Sequence, residues 1–131
     1  MIEQLIKECE EIQSFLEITM TDQPEDVVNR GCDLAAYLAR TSKMLADAKK
    51  LYNGRKKDEI LETIAYISDA KLSAKVQNAI VDSICQEEKY LVDWIDRLNA
   101  TCTHQLDFVR SLMSKNKEEL RLTQLGKEFN K

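Results

Sequence analysis

The run QEEKYLVDWIDRLNATCTHQLDFVRSLMSKNKEELRL, residues 86–122, has no Gly or Pro in thirty-seven positions and keeps an apolar stripe from end to end. It predicts one long helix. Leu91, Cys102 and Met113 recur at intervals of eleven, as do Ile95 and Leu106, and Leu98, Val109 and Leu120. Eleven residues in three turns is about 3.67 per turn, close to the natural helix, so the stripe holds its heading without a left-handed supercoil. A wetter line runs along one edge of it: Tyr90, Trp94, Arg97, Thr101, His104 and Phe108, including the chain's only Trp and only His.

Upstream, Val76, Ile80 and Ile84 stand on the same stripe, so the helix is expected to span residues 73–122, with Ser73 as its cap. Glu87 on the stripe and Glu88 at its margin predict a kink or short break near Cys85. Residues 57–68 read as a shorter helix burying Ile60, Leu61, Ile64 and Ile67, with a break at 69–72. Residues 24–52 read as another, whose seam alternates Val27, Leu34, Thr41 and Ala48 with Gly31, Leu38, Leu45 and Tyr52. Tyr37, Arg40, Met44 and Asp47 line its flank, with Lys43 nearby. Asp22 and Glu25 have the spacing of a capping box, and Pro24 falls in the first turn, where it costs least. Asn53-Gly54 predicts the end of this helix, Gly54 supplying a left-handed residue. The first helix, residues 2–19, repeats Ile2, Cys9 and Leu16 against Leu5, Ile12 and Thr19, widened by Ile6 and Phe15. Gly126 predicts the final stop, and 127–131 a frayed end.

The expected fold is a single all-α domain over residues 1–131, an elongated helical bundle with one long C-terminal helix. A helix of fifty residues is roughly 75 Å long. Three shorter helices cannot cover it within one compact chain, so homo-oligomerisation is expected to complete the bundle. Composition agrees: aromatics are 6% and Gly plus Pro total four residues, too few for a turn-rich β fold. Cys9, Cys32, Cys85 and Cys102 form no CxxC pair and read as small buried residues in a reducing compartment. No apolar run approaches the length of a membrane span, and there is no signal-peptide pattern. A cytoplasmic location in a bacterial host cell is the expectation, with no membrane partner.

The net charge of −4 hides an asymmetry. Residues 1–26 hold eight acids against Lys7, and the remainder holds 18 bases against 15 acids. That body is only mildly basic. Duplex DNA binders show a stronger field, because phosphate neutralisation dominates their affinity. The densest positive cluster, Lys49, Lys50, Arg55, Lys56 and Lys57, surrounds the Asn53-Gly54 turn and reads first as a solvated helix end.

Catalytic sets are weak. His104 could be oriented by Asp107, yet no Ser or Cys sits in a glycine turn. Glycines only at 31, 54 and 126 exclude phosphate-cradling loops. Glu8/Glu11, Glu59/Glu62 and Asp93/Asp96 have the i,i+3 spacing of metal-binding acids and resemble in part the all-α nucleotide pyrophosphatases, whose acidic motifs are denser. No metal or cofactor is expected. What remains is a binding surface: Trp94 for stacking, Arg97 as a phosphate fork, and Thr101 and His104 as donors or acceptors, joined by Arg40 and Lys43 if the 24–52 helix lies alongside. The plainer reading makes Trp94 and Phe108 core and pairs Arg97 with Asp93.

The runs YLARTSKMLADAK, residues 37–49, and EKYLVDWIDRLNATCTHQLD, residues 88–107, resemble small helical proteins encoded by tailed bacteriophages and prophages. The likeness covers residues 30–122 and assigns no site residue. It implies a small, cytoplasmic, phage-encoded accessory protein; the lack of a convincing catalytic set adds the expectation that it is not an enzyme. Counter-defence by sequestering a nucleotide-like anionic signal is the leading expectation, with self and either a small nucleotide or a host protein as partners. An accessory role in phage DNA replication or recombination is the alternative, with nucleic acid the less favoured partner.

Overall fold

A computed structural model of the chain describes residues 1–70 and 73–129, including the side chains of 1–63 and 73–127. Among these the chain is all-helical: α1 Ile2–Leu16, α2 Pro24–Ala70, α3 Ala74–Ile84 and α4 Gln86–Phe129. Helices α2 and α4 run antiparallel. Gly31 lies against Val109, Thr41 against Asn99 and Arg55 against Glu88, one register held along both helices. A Cβ at Gly31 would stand 3.1 Å from Val109 Cγ1, so the bare glycine permits this close approach.

Helix α1 docks on both partners. Glu8 meets Arg40 of α2, while Gln13 and the Leu16 carbonyl meet Trp94 and Gln105 of α4. Its Leu5, Cys9, Ile12 and Leu16 join Val27, Leu34, Met44 and Ala48 of α2 and Leu91, Ile95, Leu98, Cys102 and Val109 of α4 in one buried cluster. The seven-residue spacings on α1 and α2 place these side chains on one face. Each leucine-sized side chain so buried contributes about 1.5–3 kcal/mol. The buried threonine on the α2 seam is satisfied: Thr41 donates to the Leu38 carbonyl (3.1 Å) and accepts from Asn99 Nδ2 (2.9 Å).

Several elements differ from the sequence expectation. Helix α2 passes through Asn53-Gly54 without a stop. Glycine in a helix costs about 1 kcal/mol relative to alanine. Contacts on both sides offset that: the Tyr52 hydroxyl donates to Asp82 of α3 (3.3 Å), and Arg55 reaches Glu59 and Glu88. Met44 belongs to the core rather than the flank, and Leu61 is 61% exposed, because thirteen positions past Ala48 it lies on the far side of the helix. The separate helix expected over 57–68 is part of α2, which continues through Asp69 and Ala70 where the 69–72 break was expected; the rest of that break, at 71–72, and the burial expected for Ile64 and Ile67 lie outside the described residues. Asp22 does not cap α2; instead the Thr21 hydroxyl donates to Asp26 in the first turn.

Ser73 does cap α3, accepting from the Val76 amide (3.3 Å). The break near Cys85 is one residue long, with Cys85 at φ −92° and ψ 19° between α3 and α4. Helix α4 ends neither at Leu122 nor at Gly126 but continues to Phe129, past side-chain pairs Lys115–Glu119 and Glu118–Arg121. Once a helix is nucleated each added residue costs little, so one exposed glycine does not end it. Among the described residues no helix is long and apolar enough to cross a membrane.

Candidate functional site

The α4 edge is built by helical spacing alone, since steps of three and four keep Tyr90, Trp94, Arg97, Thr101, His104 and Phe108 on one side. Trp94 is half-buried and its indole N–H donates to Gln13 Oε1 of α1 at 3.3 Å. The Tyr90 ring packs beside it, centroids 6.0 Å apart and tilted 46°. Thr101 turns inward on its own helix, its hydroxyl donating to the Arg97 carbonyl at 2.9 Å. Arg97 and His104 are exposed, and among the described residues neither side chain forms an ion pair or hydrogen bond. The pairing of Arg97 with Asp93 is therefore not made.

The α2 cations are engaged elsewhere. Arg40 forks onto Glu8 of α1, Nε to Oε2 and Nη2 to Oε1, both at 2.6 Å. That hydrogen-bonded guanidinium holds the Glu8 carboxyl below the usual range, and Glu8 in turn raises Arg40. Lys43 Nζ lies 3.0 Å from Asp47. Glu8 and Gln13 are five positions apart on α1, about 140° around the helix at 100° per residue. Arg40 thus grips one flank of α1 and Trp94 the other. Arg97, Thr101 and His104 stand together on α4; Arg40 and Lys43 do not join them.

The structure adds residues that sequence reasoning passed over. Arg30 lies 4.1 Å over the Phe15 ring and donates to Gln105 Oε1 (2.9 Å) and to the Leu16 carbonyl (3.4 Å), to which Gln105 Nε2 also donates (3.1 Å). Two donors therefore serve a carbonyl that the end of α1 leaves without a helical partner. Beside them, under Phe108 and Ile18, lies a cavity of about 390 Å³ floored by Leu16, Leu34 and Val109. The signal for Gln105 was a polar residue between Cys102 and Val109 on the stripe. Glu88 is the second: its carboxylate is 5% exposed, with Arg55 Nε 3.4 Å from Oε1.

Two of the five positive charges around residues 49–57 are answered by acids. Arg55 faces Glu59 and Glu88, and Lys56 lies 3.9 Å from Asp82. Lys49, Lys50 and Lys57 remain exposed.

Asp107, the partner expected for His104, instead meets Arg110 at 3.5 Å. Three of the four cysteines are buried, whereas Cys32, expected to be buried, is exposed. Burial pushes the Cys9 thiol up to about 11, with Glu8 and Glu10 adding to it, and burial likewise raises Cys85 and Cys102. Raised thiols are protonated at neutral pH and poor nucleophiles. Among the described residues no group of three or more His, Cys, Asp or Glu is placed to hold a metal ion. Comparisons with protein-family models, curated proteins and solved structures find no match to this chain.

Proposed function

We propose that this chain is a non-enzymatic binding protein that acts as a homo-oligomer, a helical bundle completed when a second copy covers the free end of α4. One observation supports this above the others. The stripe that packs α4 on α2 as far as Val109 continues into Met113 and Leu120, which are 45% and 61% exposed. The charges favour a second copy as the cover. Residues 110–127 carry five bases and two acids, whereas residues 1–26 carry eight acids and one base. A reciprocal pairing that lays the α4 end of each copy along the acidic outer face of α1 of the other joins these opposite fields.

Sedimentation analysis over a range of concentrations tests the proposal. The chain should sediment as a dimer or larger, and Leu120→Glu should weaken association at least about a hundredfold while the helix signal stays unchanged. A chain that stays monomeric at every concentration would remove the reading.

The exposed, unpartnered Arg97 and His104 beside the Tyr90–Trp94 pair favour a ligand reading of the α4 edge. A nucleotide-like anion could stack on the rings while Arg97 forks its phosphate. Sequestering such a signal, as in phage counter-defence, needs binding without turnover. Arg97→Ala should then lower affinity for a nucleotide panel about tenfold or more, as lost charge-assisted bonds do. Equal affinity in the variant would leave the α4 edge without a ligand role.

A further inference from the structure

At the far end of α2, Asp47, Leu51, Gly54, Arg55, Asp58 and Glu62 fall at helical spacing on one face. They line an open cavity of about 660 Å³ together with Glu88 and the start of α1. With Glu59, its lining holds five carboxylates against Lys50, Arg55 and the Met1 ammonium. Some are already answered: Lys43 holds Asp47 and Arg55 lies near Glu59. Asp58 and Glu62 meet no base among the described residues.

Glu88 decides what the cavity lacks. Its side chain is 95% buried, Arg55 reaches only Oε1, and among the described residues Oε2 has no hydrogen-bond partner. A buried carboxylate oxygen without a donor is unfavourable, and a bound N–H group removes that penalty. A metal ion fits poorly, because it needs several oxygens around one point and no such group is formed among the described residues. The acids are strung out instead: Asp47 to Asp58 spans about 16 Å at 1.5 Å per residue. Between them the wall is apolar, with Leu51 and Ile2, and a Cβ at Gly54 would meet no atom within 4 Å. The chemistry required is a row of N–H donors separated by methylenes.

We infer that this cavity binds a linear alkyl polyamine, one ammonium donating to the Glu88 carboxylate and another to Asp58 and Glu62, with the methylenes lying on Leu51 and Ile2. The site depends on neither the oligomer contact nor the α4 edge.

Calorimetric titration of the full chain with spermidine at low ionic strength tests it. Saturable binding of one spermidine per chain is expected, weakened at least about tenfold in Glu88→Gln, which keeps the shape and removes the charge. Gly54→Leu favours the helix and fills the open space, so it should abolish binding with the helix signal intact; it carries the test alone if Glu88→Gln fails to fold. Wild-type affinity in either folded variant overturns the site. Displacement of spermidine by an equal concentration of magnesium overturns it too, because that marks a general response to charge.

Discussion

Ile95→Ala is expected to lower the stability of the fold by about 2–5 kcal/mol. Ile95 is fully buried in a cluster drawn from α1, α2 and α4. Removing its branched end loses the transfer free energy of the deleted groups and leaves a hole. Neighbours fixed on three helices can close that hole only in part. A domain of this size has about 5–15 kcal/mol in all, so the variant should sit near the unfolding threshold. Urea titration reads the effect as a lower midpoint with an unchanged slope. A loss under about 1 kcal/mol would mean that the three-helix cluster is packed more loosely than described.

The second large effect is expected from Asn99→Asp, about 1–3 kcal/mol at neutral pH. Asn99 Nδ2 faces three oxygens: the Leu38 carbonyl (3.3 Å), Thr41 Oγ1 (2.9 Å) and Ser42 Oγ (3.0 Å). A carboxylate of the same shape donates to none of them and meets the carbonyl oxygen with like charge. Thr41 can turn its proton toward the carboxylate only by giving up its own bond to Leu38. The new carboxyl should be held above its unfolded value in the folded chain. Such a group keeps its full contribution below the unfolded value and loses it as pH rises through the folded one, so the deficit should shrink in acid and grow toward neutrality. An equal deficit at both ends of that range would show the side chain turned out to solvent.

The inner faces were legible because burial imposes a period. Val27, Leu34, Thr41 and Ala48 recur every seven residues, and Leu91, Leu98 and Cys102 fall on the stripe where spacing puts them. Helix ends were less legible, since Gly54 and Gly126 carry a local preference for stopping while the outcome depends on what packs around them. At Gly54 the deciding contacts come from Asp82 and Glu88, thirty or so residues away in the chain. The α4 edge could be read as a line of residues, but its relation to Arg40 could not. That depended on α1 docking between them, which two side chains, Glu8 and Gln13, settle from opposite flanks. Glu88 illustrates the remaining gap: a charged residue at the margin of a stripe marks a kink or a buried group equally well until its neighbours are known.

The antiparallel pairing of α2 with α4 also sets an order of assembly. Near the Cys85 break, contacts join residues 30 apart in sequence, as in Tyr52 to Asp82. Along the pair the separation grows to 58 at Thr41–Asn99 and 75 at Arg30–Gln105, and the α1 link from Gln105 to Leu16 spans 89. Closing a longer loop costs more entropy unless contacts already made have shortened it. The cheapest route therefore starts at the Tyr52–Asp82 end and zips outward, each pair shortening the loop for the next. Helix α1 arrives last, onto a groove that the other two helices have already formed, so the most acidic part of the chain stays free longest while the protein folds.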